Sequence, residues 1–139
     1  MGTSNDKMPL GKKGEALAKE YLNSLGYEFI TANYRTKFGE IDLIFINDGV
    51  LIFVEVKTRR GKQIQNIEET INKVKIKKIL KSAEIYISQS DIKFKEMRVD
   101  AIFVKFGSSR ERGKDNTTYR PESCDSEDNI TIKHIKSFL

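Results

Sequence analysis

Cysteine is nearly absent: Cys124 alone stands in 139 residues. One thiol closes no internal disulfide and supplies no cysteine cluster for zinc, and it points to a reducing, cytoplasmic setting. Histidine is as scarce. The lone His134 falls in an apolar C-terminal stretch and reads as structural. No apolar run approaches the ~20 residues of a membrane-spanning helix, so no membrane partner is expected. The opening MGTSNDKMPLGKKG lacks the apolar centre of a secretory leader. Asp6 stands where a myristoylation motif after Gly2 would need Ser or Thr. Acid is locally sparse as well. From Lys57 to Lys81 only Glu68 and Glu69 offset Lys57, Arg59, Arg60, Lys62, Lys73, Lys75, Lys77, Lys78 and Lys81. The overall charge is only +5, but this local excess suits phosphates. A solvated helix face would look the same.

What remains is enough for one domain with its own core. Residues 1–10 read as a flexible arm before a domain spanning 11–139. GKKGEALAKEYLNSLG brings Leu17, Ala18, Tyr21, Leu22 and Leu25 to helical spacing, with Gly26 as the stop. YEFITANYR predicts a strand. FGEIDLIFI and VLIFVEVKT are rich in β-branched and aromatic residues, and Asn47-Asp48-Gly49 between them predicts a hairpin turn. A long helix is expected over 67–88. Glu68 and Glu69 would lie in its first turn, and Ile71, Val74, Ile79, Leu80, Ala83 and Ile87 would be its buried stripe. MRVDAIFVKF predicts another strand. Residues 107–129 carry no apolar period and read as a mobile loop, and ITIKHIKSFL as a returning strand. Helix, three strands, helix, strand, loop, strand predicts an α/β fold with a mixed sheet flanked by helices.

The central hairpin sets charge among apolar residues. Glu55 and Lys57 are two apart on one strand and share a face, as do Glu40 and Asp42. Pairing through the turn brings Asp42 toward Glu55 and Lys57. A charged, unpaired carboxylate in such a strand costs several kcal/mol. An ion cluster with Lys57, a wet sheet edge or a bound divalent cation would each relieve it. In the last case Mg²⁺ takes one or two carboxylates and acidifies a coordinated water, while a neighbouring lysine steadies developing charge. That is the donor set of phosphodiester hydrolysis.

Asp42 followed after twelve residues by Glu55-Val56-Lys57 resembles the core motif of the PD-(D/E)xK nuclease superfamily. Glu15 resembles the helical acid of its Holliday-junction-resolvase-like branch. GEALAKEYLNSLGY, NYR, GEIDLI, FVEVKTR, the helix with Lys75 and Ala83, and RVDAIFV are together similar to the YraN-like family, classed as endonuclease-like by fold. The resemblance implies a restriction-endonuclease-like core. It implies that Asp42, Glu55 and the Val56 carbonyl hold Mg²⁺ or Mn²⁺, that Glu15 completes the site, and that Lys57 is the catalytic lysine. Lys75 falls where that family carries a lysine for substrate phosphate. Resolvase-like relatives act as dimers, which adds a homodimer to the expectations. Two features depart from the pattern: Ile41 replaces the proline before the aspartate, and the 107–129 loop is long.

Each residue also has a plainer reading. Glu15 would be a dipole-favoured surface acid, and Glu40 a solvated or lysine-paired one. Arg35, Arg59 and Arg60 would simply solubilise; at the mouth of a site they would hold phosphates. Asp100 would pair with Arg98 or a neighbouring strand. Tyr21, Tyr27, Tyr34 and Phe53 would fill the core. The function expected is a metal-dependent nuclease acting on DNA, branched or single-stranded, with Arg35, Arg59, Arg60, Lys62, Lys73 and Lys75 on the backbone. The alternative is a non-catalytic module on the same fold that binds nucleic acid or a protein.

Overall fold

A computed structural model describes residues 8–60, 72–107, 117–118 and 130–138. Helix α1 (Leu10–Ser24) is followed by strands β1 (Glu28–Thr36), β2 (Gly39–Asn47) and β3 (Val50–Arg60). Helix α2 (Lys73–Gln89), strand β4 (Glu96–Phe106), the two-residue β5 (Thr117–Thr118) and β6 (Ile130–Ile135) complete the order. They build one sheet in the order β1-β2-β3-β4-β6-β5. β3 and β4 run parallel, with α2 between them in sequence, and every other pair is antiparallel. This is the mixed sheet flanked by helices of the restriction-endonuclease-like class.

Local chemistry explains the elements. Gly26, at φ +89°, takes the left-handed turn that ends α1. Asn47 pairs with Val50, leaving Asp48-Gly49 as a two-residue loop with φ of 49° and 78°. Two positive values match a hairpin turn whose twist suits the strands. β3 is buried without a break from Leu51 to Val56, because helices cover both faces of a strand in the middle of the sheet. On one face α1 sets Ala18 and Leu22 against Phe45, Ile52, Val54 and Ile102. On the other α2 sets Ile79 and Ala83 against Ile41, Ile44, Leu51 and Phe53.

Two expectations for α2 are corrected. Asn72 caps α2, its side chain accepting from the Lys75 N–H at 2.9 Å. The cap residue is extended, so the helix begins at Lys73. The first turn of α2 carries no acid, and Glu68 and Glu69 lie with Ile71 outside the described residues. Val74 is 62% exposed and Leu80 38%. The buried stripe instead joins Ile76, Ile79, Ala83, Tyr86 and Ile87, because the helical period over this sheet starts from Ile76. Within 107–129, Thr117–Thr118 pairs with β6 as an edge strand, while 108–116 and 119–129 lie outside the described residues. The arm read over 1–10 likewise falls outside them up to residue 7, and α1 already includes Leu10.

α1 lies close against the sheet at Gly14, where an added Cβ would overlap Thr58 Oγ1 on β3. That contact seats the next residue, Glu15, beside the sheet. Gly14→Ala is expected to lower stability by about 1–3 kcal/mol by overpacking, despite the better helix propensity of alanine. Urea unfolding of the variant checks this.

Candidate active site

The β2–β3 ladder runs from Asn47↔Val50 to Leu43↔Val54 and goes no further. Beyond it the strands part, and Asp42 occupies the opening. Its Oδ2 accepts the Val56 N–H at 2.7 Å, replacing the ladder bond that the parting removes. The side-chain alternation of β2 slips at the same place, since Ile41 and Ile44 both face α2. Asp42 is thereby turned toward β3 rather than sharing a face with Glu40, as simple alternation had predicted. Glu40 points to Arg35, whose Nε lies at 4.0 Å.

Glu55 is 4% exposed and carries two amines on Oε1. Lys57 Nζ stands at 3.7 Å, and Lys75 Nζ of α2 makes a close ion pair with the same oxygen. Lys75, expected to meet substrate phosphate, pairs with Glu55 within the chain itself. The helix brings it there because α2 crosses the strands. Ile76 packs near Ala101 and Phe103 of β4, whereas Tyr86 reaches Tyr34 of β1.

Glu15 approaches from α1. Lys12 Nζ pairs with its Oε2 at 3.3 Å, and Asn33 Nδ2 donates to the same oxygen at 3.1 Å. Asn33 is the residue that sequence reasoning missed. It sits in β1 at φ +53°, between Ala32↔Leu43 and Tyr34↔Ile41, and so alongside Asp42. An asparagine tolerates this left-handed conformation where most residues do not. The signal was there in the placement of an Asn inside a strand, where it is disfavoured.

The electrostatics follow from burial. Desolvation, helped by the Glu55 charge, pushes the Asp42 carboxyl up to about 8, against the opposing pull of the Val56 N–H. Burial and the Lys75 ammonium lower the proton affinity of Lys57. Lys75 also loses hydration, but the Glu55 carboxylate outweighs that and raises its affinity. Two carboxylates and two amines thus share one end of the β2–β3 opening, with Glu15 near enough to add to the Asp42 shift. Among the described residues no three of His, Cys, Asp and Glu form a ready metal cage. Asp42, Glu55 and main chain are the groups that could hold a cation here, and such a set would suit a hard cation that keeps most of its waters.

The remaining predicted contacts are peripheral. Arg35 has an 81% exposed side chain. Arg59 and Arg60 are exposed at the end of β3 and Lys73 at the start of α2. Lys62 lies outside the described residues. Asp100 belongs to a separate buried network. It accepts from Arg98 Nε at 2.9 Å and the Ser137 N–H at 3.0 Å, and meets His134 Nε2 at 2.8 Å. His134 is structural in this sense. Tyr27 and Phe53 are buried, and Tyr21 and Tyr34 pack against the core.

Asp42 gives the metal-free protein a specific pH dependence. Its folded proton affinity lies above the ordinary carboxylate value, so the folded state keeps a proton that the unfolded chain has lost. Its contribution is complete at low pH and declines as pH rises from about 4 to about 8, by at most about 1.4 kcal/mol per pH unit. Denaturation of wild type against Asp42→Asn across this range is expected to show the decline in wild type and its removal in the variant.

Comparison with known proteins adds the lineage. Residues 14–104 match the model of the uncharacterised protein family UPF0102. The chain is 43% identical over 100 residues to a UPF0102 protein of Sulfurihydrogenibium sp. (strain YO3AOP1), covering 72% of this chain and 87% of the relative. A UPF0102 protein of Persephonella marina is 40% identical over 94 residues, covering 68% and 81%. One of Vibrio parahaemolyticus is 43% identical over 83 residues, covering 60% and 69%. The matched span runs from the Gly14 contact through Asp42, Glu55, Lys57 and Lys75 into β4, and the chain belongs to the YraN-like family UPF0102.

Proposed function

We propose that this protein is a divalent-metal-dependent endonuclease that hydrolyses phosphodiester bonds of DNA, branched or single-stranded forms included. The observation that carries the reading is Asp42: a desolvated carboxylate, pushed up to about 8, held in a strand opening beside Glu55 and Lys57. A strongly perturbed acid between a second acid and a lysine is a functional-site signature. Asp42, Glu55 and the Val56 carbonyl would hold Mg²⁺ or Mn²⁺. Such an ion, when bound, supplies charge for the phosphodiester and acidity for a coordinated water.

The chain's own groups do the rest. The Val56 N–H fixes the Asp42 carboxylate in orientation. Lys57, with its lowered proton affinity, would position the attacking water and face the charge that grows on the phosphate. Lys75 neutralises Glu55 and would move to phosphate when a cation takes its place. Glu15, oriented by Asn33, would hold a water of the ion. Arg35, Arg59, Arg60 and Lys73 would hold the strand outside the site.

A second reading is favoured by the Lys75–Glu55 pair, which already satisfies the acid without a metal. It makes the chain a non-catalytic module that binds nucleic acid or a protein.

Cleavage of a panel containing linear duplex, single strand, flap and four-way junction separates the two. In Mg²⁺ or Mn²⁺ the wild type is expected to cut at least one substrate, and EDTA to stop it. Lys57→Ala is expected to reduce the rate by at least about 100-fold while the fold is kept. Salt-sensitive binding indifferent to Mg²⁺, with no cleavage, would establish the non-catalytic module instead.

A further inference from the structure

The turn between β1 and β2 carries a feature that the carboxylate site does not use. Lys37 and Phe38 form its tip. Phe38 is half-buried, and two ammonium groups lie over its ring: Lys37 Nζ at 5.2 Å and Lys81 Nζ of α2 at 4.9 Å from the centroid. The tip is fixed to the helix. Thr36 Oγ1 and Ser82 Oγ share a hydrogen bond of 2.8 Å, and the Phe38 N–H donates back to Thr36 Oγ1 at 3.0 Å. Ser82 is 1% exposed, so the tether is anchored in the core.

The tip stands at the same end of the sheet as Asp42, because β2 enters from it at Gly39. α2 connects the two places. Lys75 sits on Glu55, the Lys78 Cβ lies beside Gly39, and Lys81 lies over Phe38. These lysines are three residues apart and follow one side of the helix. The six steps from Lys75 to Lys81 rise about 9 Å, a distance on the order of one to three nucleotides. Lysines in a row track a phosphate backbone. An aromatic ring at their end has no sequence preference, because every base offers a π face. A paired base within a duplex keeps its faces against its neighbours and offers none to the ring.

We infer that Phe38, flanked by Lys37 and Lys81, is a stacking platform for an unpaired base, and that the nucleic acid handled here carries a single-stranded segment next to the bond presented to Asp42 and Glu55. This rests on the proposed nucleic-acid function and names its substrate class. The tether through Thr36 and Ser82 fixes the turn that carries the ring, and a stacking base would displace the lysine ammonium groups from the ring face toward its own phosphates.

The sequence contains no tryptophan, so Phe38→Trp installs a sole tryptophan at the platform, excited at wavelengths too long for tyrosine to absorb. The probes are a blunt DNA duplex, a single strand, and the duplex with a single-stranded tail, each titrated in EDTA so that binding is read without cleavage. Tailed and single-stranded probes are expected to quench the Phe38→Trp emission, and the blunt duplex to leave it. Phe38→Ala is expected to weaken binding of tailed DNA about tenfold while duplex affinity stays within about twofold. Phe38→Leu keeps an apolar side chain at the turn and is expected to show the same selective loss. Equal losses on all probes in both variants, or no loss, overturn the platform while leaving nucleic-acid binding intact. Failure of the wild type to bind any probe overturns both the platform and the function beneath it.

Discussion

The structure turns on the hydrogen bond from the Val56 N–H to the Asp42 carboxylate. β2 pairs with β1 as far as Gly39 but leaves β3 after Leu43. A main-chain donor in the middle strand of a sheet cannot be left without a partner inside a core. Asp42 supplies that partner, which keeps the sheet intact through the parting. The same bond fixes the carboxylate beside Glu55. Fold and site thus depend on one side chain. Gly14 at the Thr58 contact then brings α1 close enough for Glu15 to join from the other direction.

Two buried aspartates show how differently the chain treats charge. Asp100 is fully buried, yet His134, Arg98 and the Ser137 N–H more than offset its desolvation and hold it below the ordinary carboxylate range. It ties β6 and the residues after it to β4. Asp42 has one main-chain donor and an acidic neighbour, and burial wins. A carboxylate that is stabilised to this limited extent weakens the fold at neutral pH. That is a cost a structural acid avoids, and it is relieved by anything positive that enters the opening. Lys75 meets part of that need through Glu55.

Much of this was legible in the sequence. The hairpin through Asp48-Gly49 carried its own turn chemistry, and the register it fixed set Asp42 across from the Glu55-Val56-Lys57 strand. The apolar run of β3 announced a covered central strand. What escaped were features that need three dimensions. Alternation placed Asp42 with Glu40, whereas the slip at the parting turned it toward Val56. The charge pattern gave no sign of the Lys75–Glu55 ion pair, which the crossing of α2 over the sheet makes. Asn33 showed in the sequence only as an Asn out of place in a strand; the left-handed backbone that aims it at Glu15 did not. The start of α2 was misjudged because Ile67 and Ile71 extended the apolar period past the cap at Asn72.

The measurement that reaches furthest is calorimetric titration of the protein with Mn²⁺ at neutral pH, in two buffers of different ionisation enthalpy. If the opening exists to hold a cation, one ion binds per chain and roughly one proton leaves with it, and both are lost in Asp42→Asn. Binding that releases no proton and persists in Asp42→Asn, or no binding at all, would contradict the account.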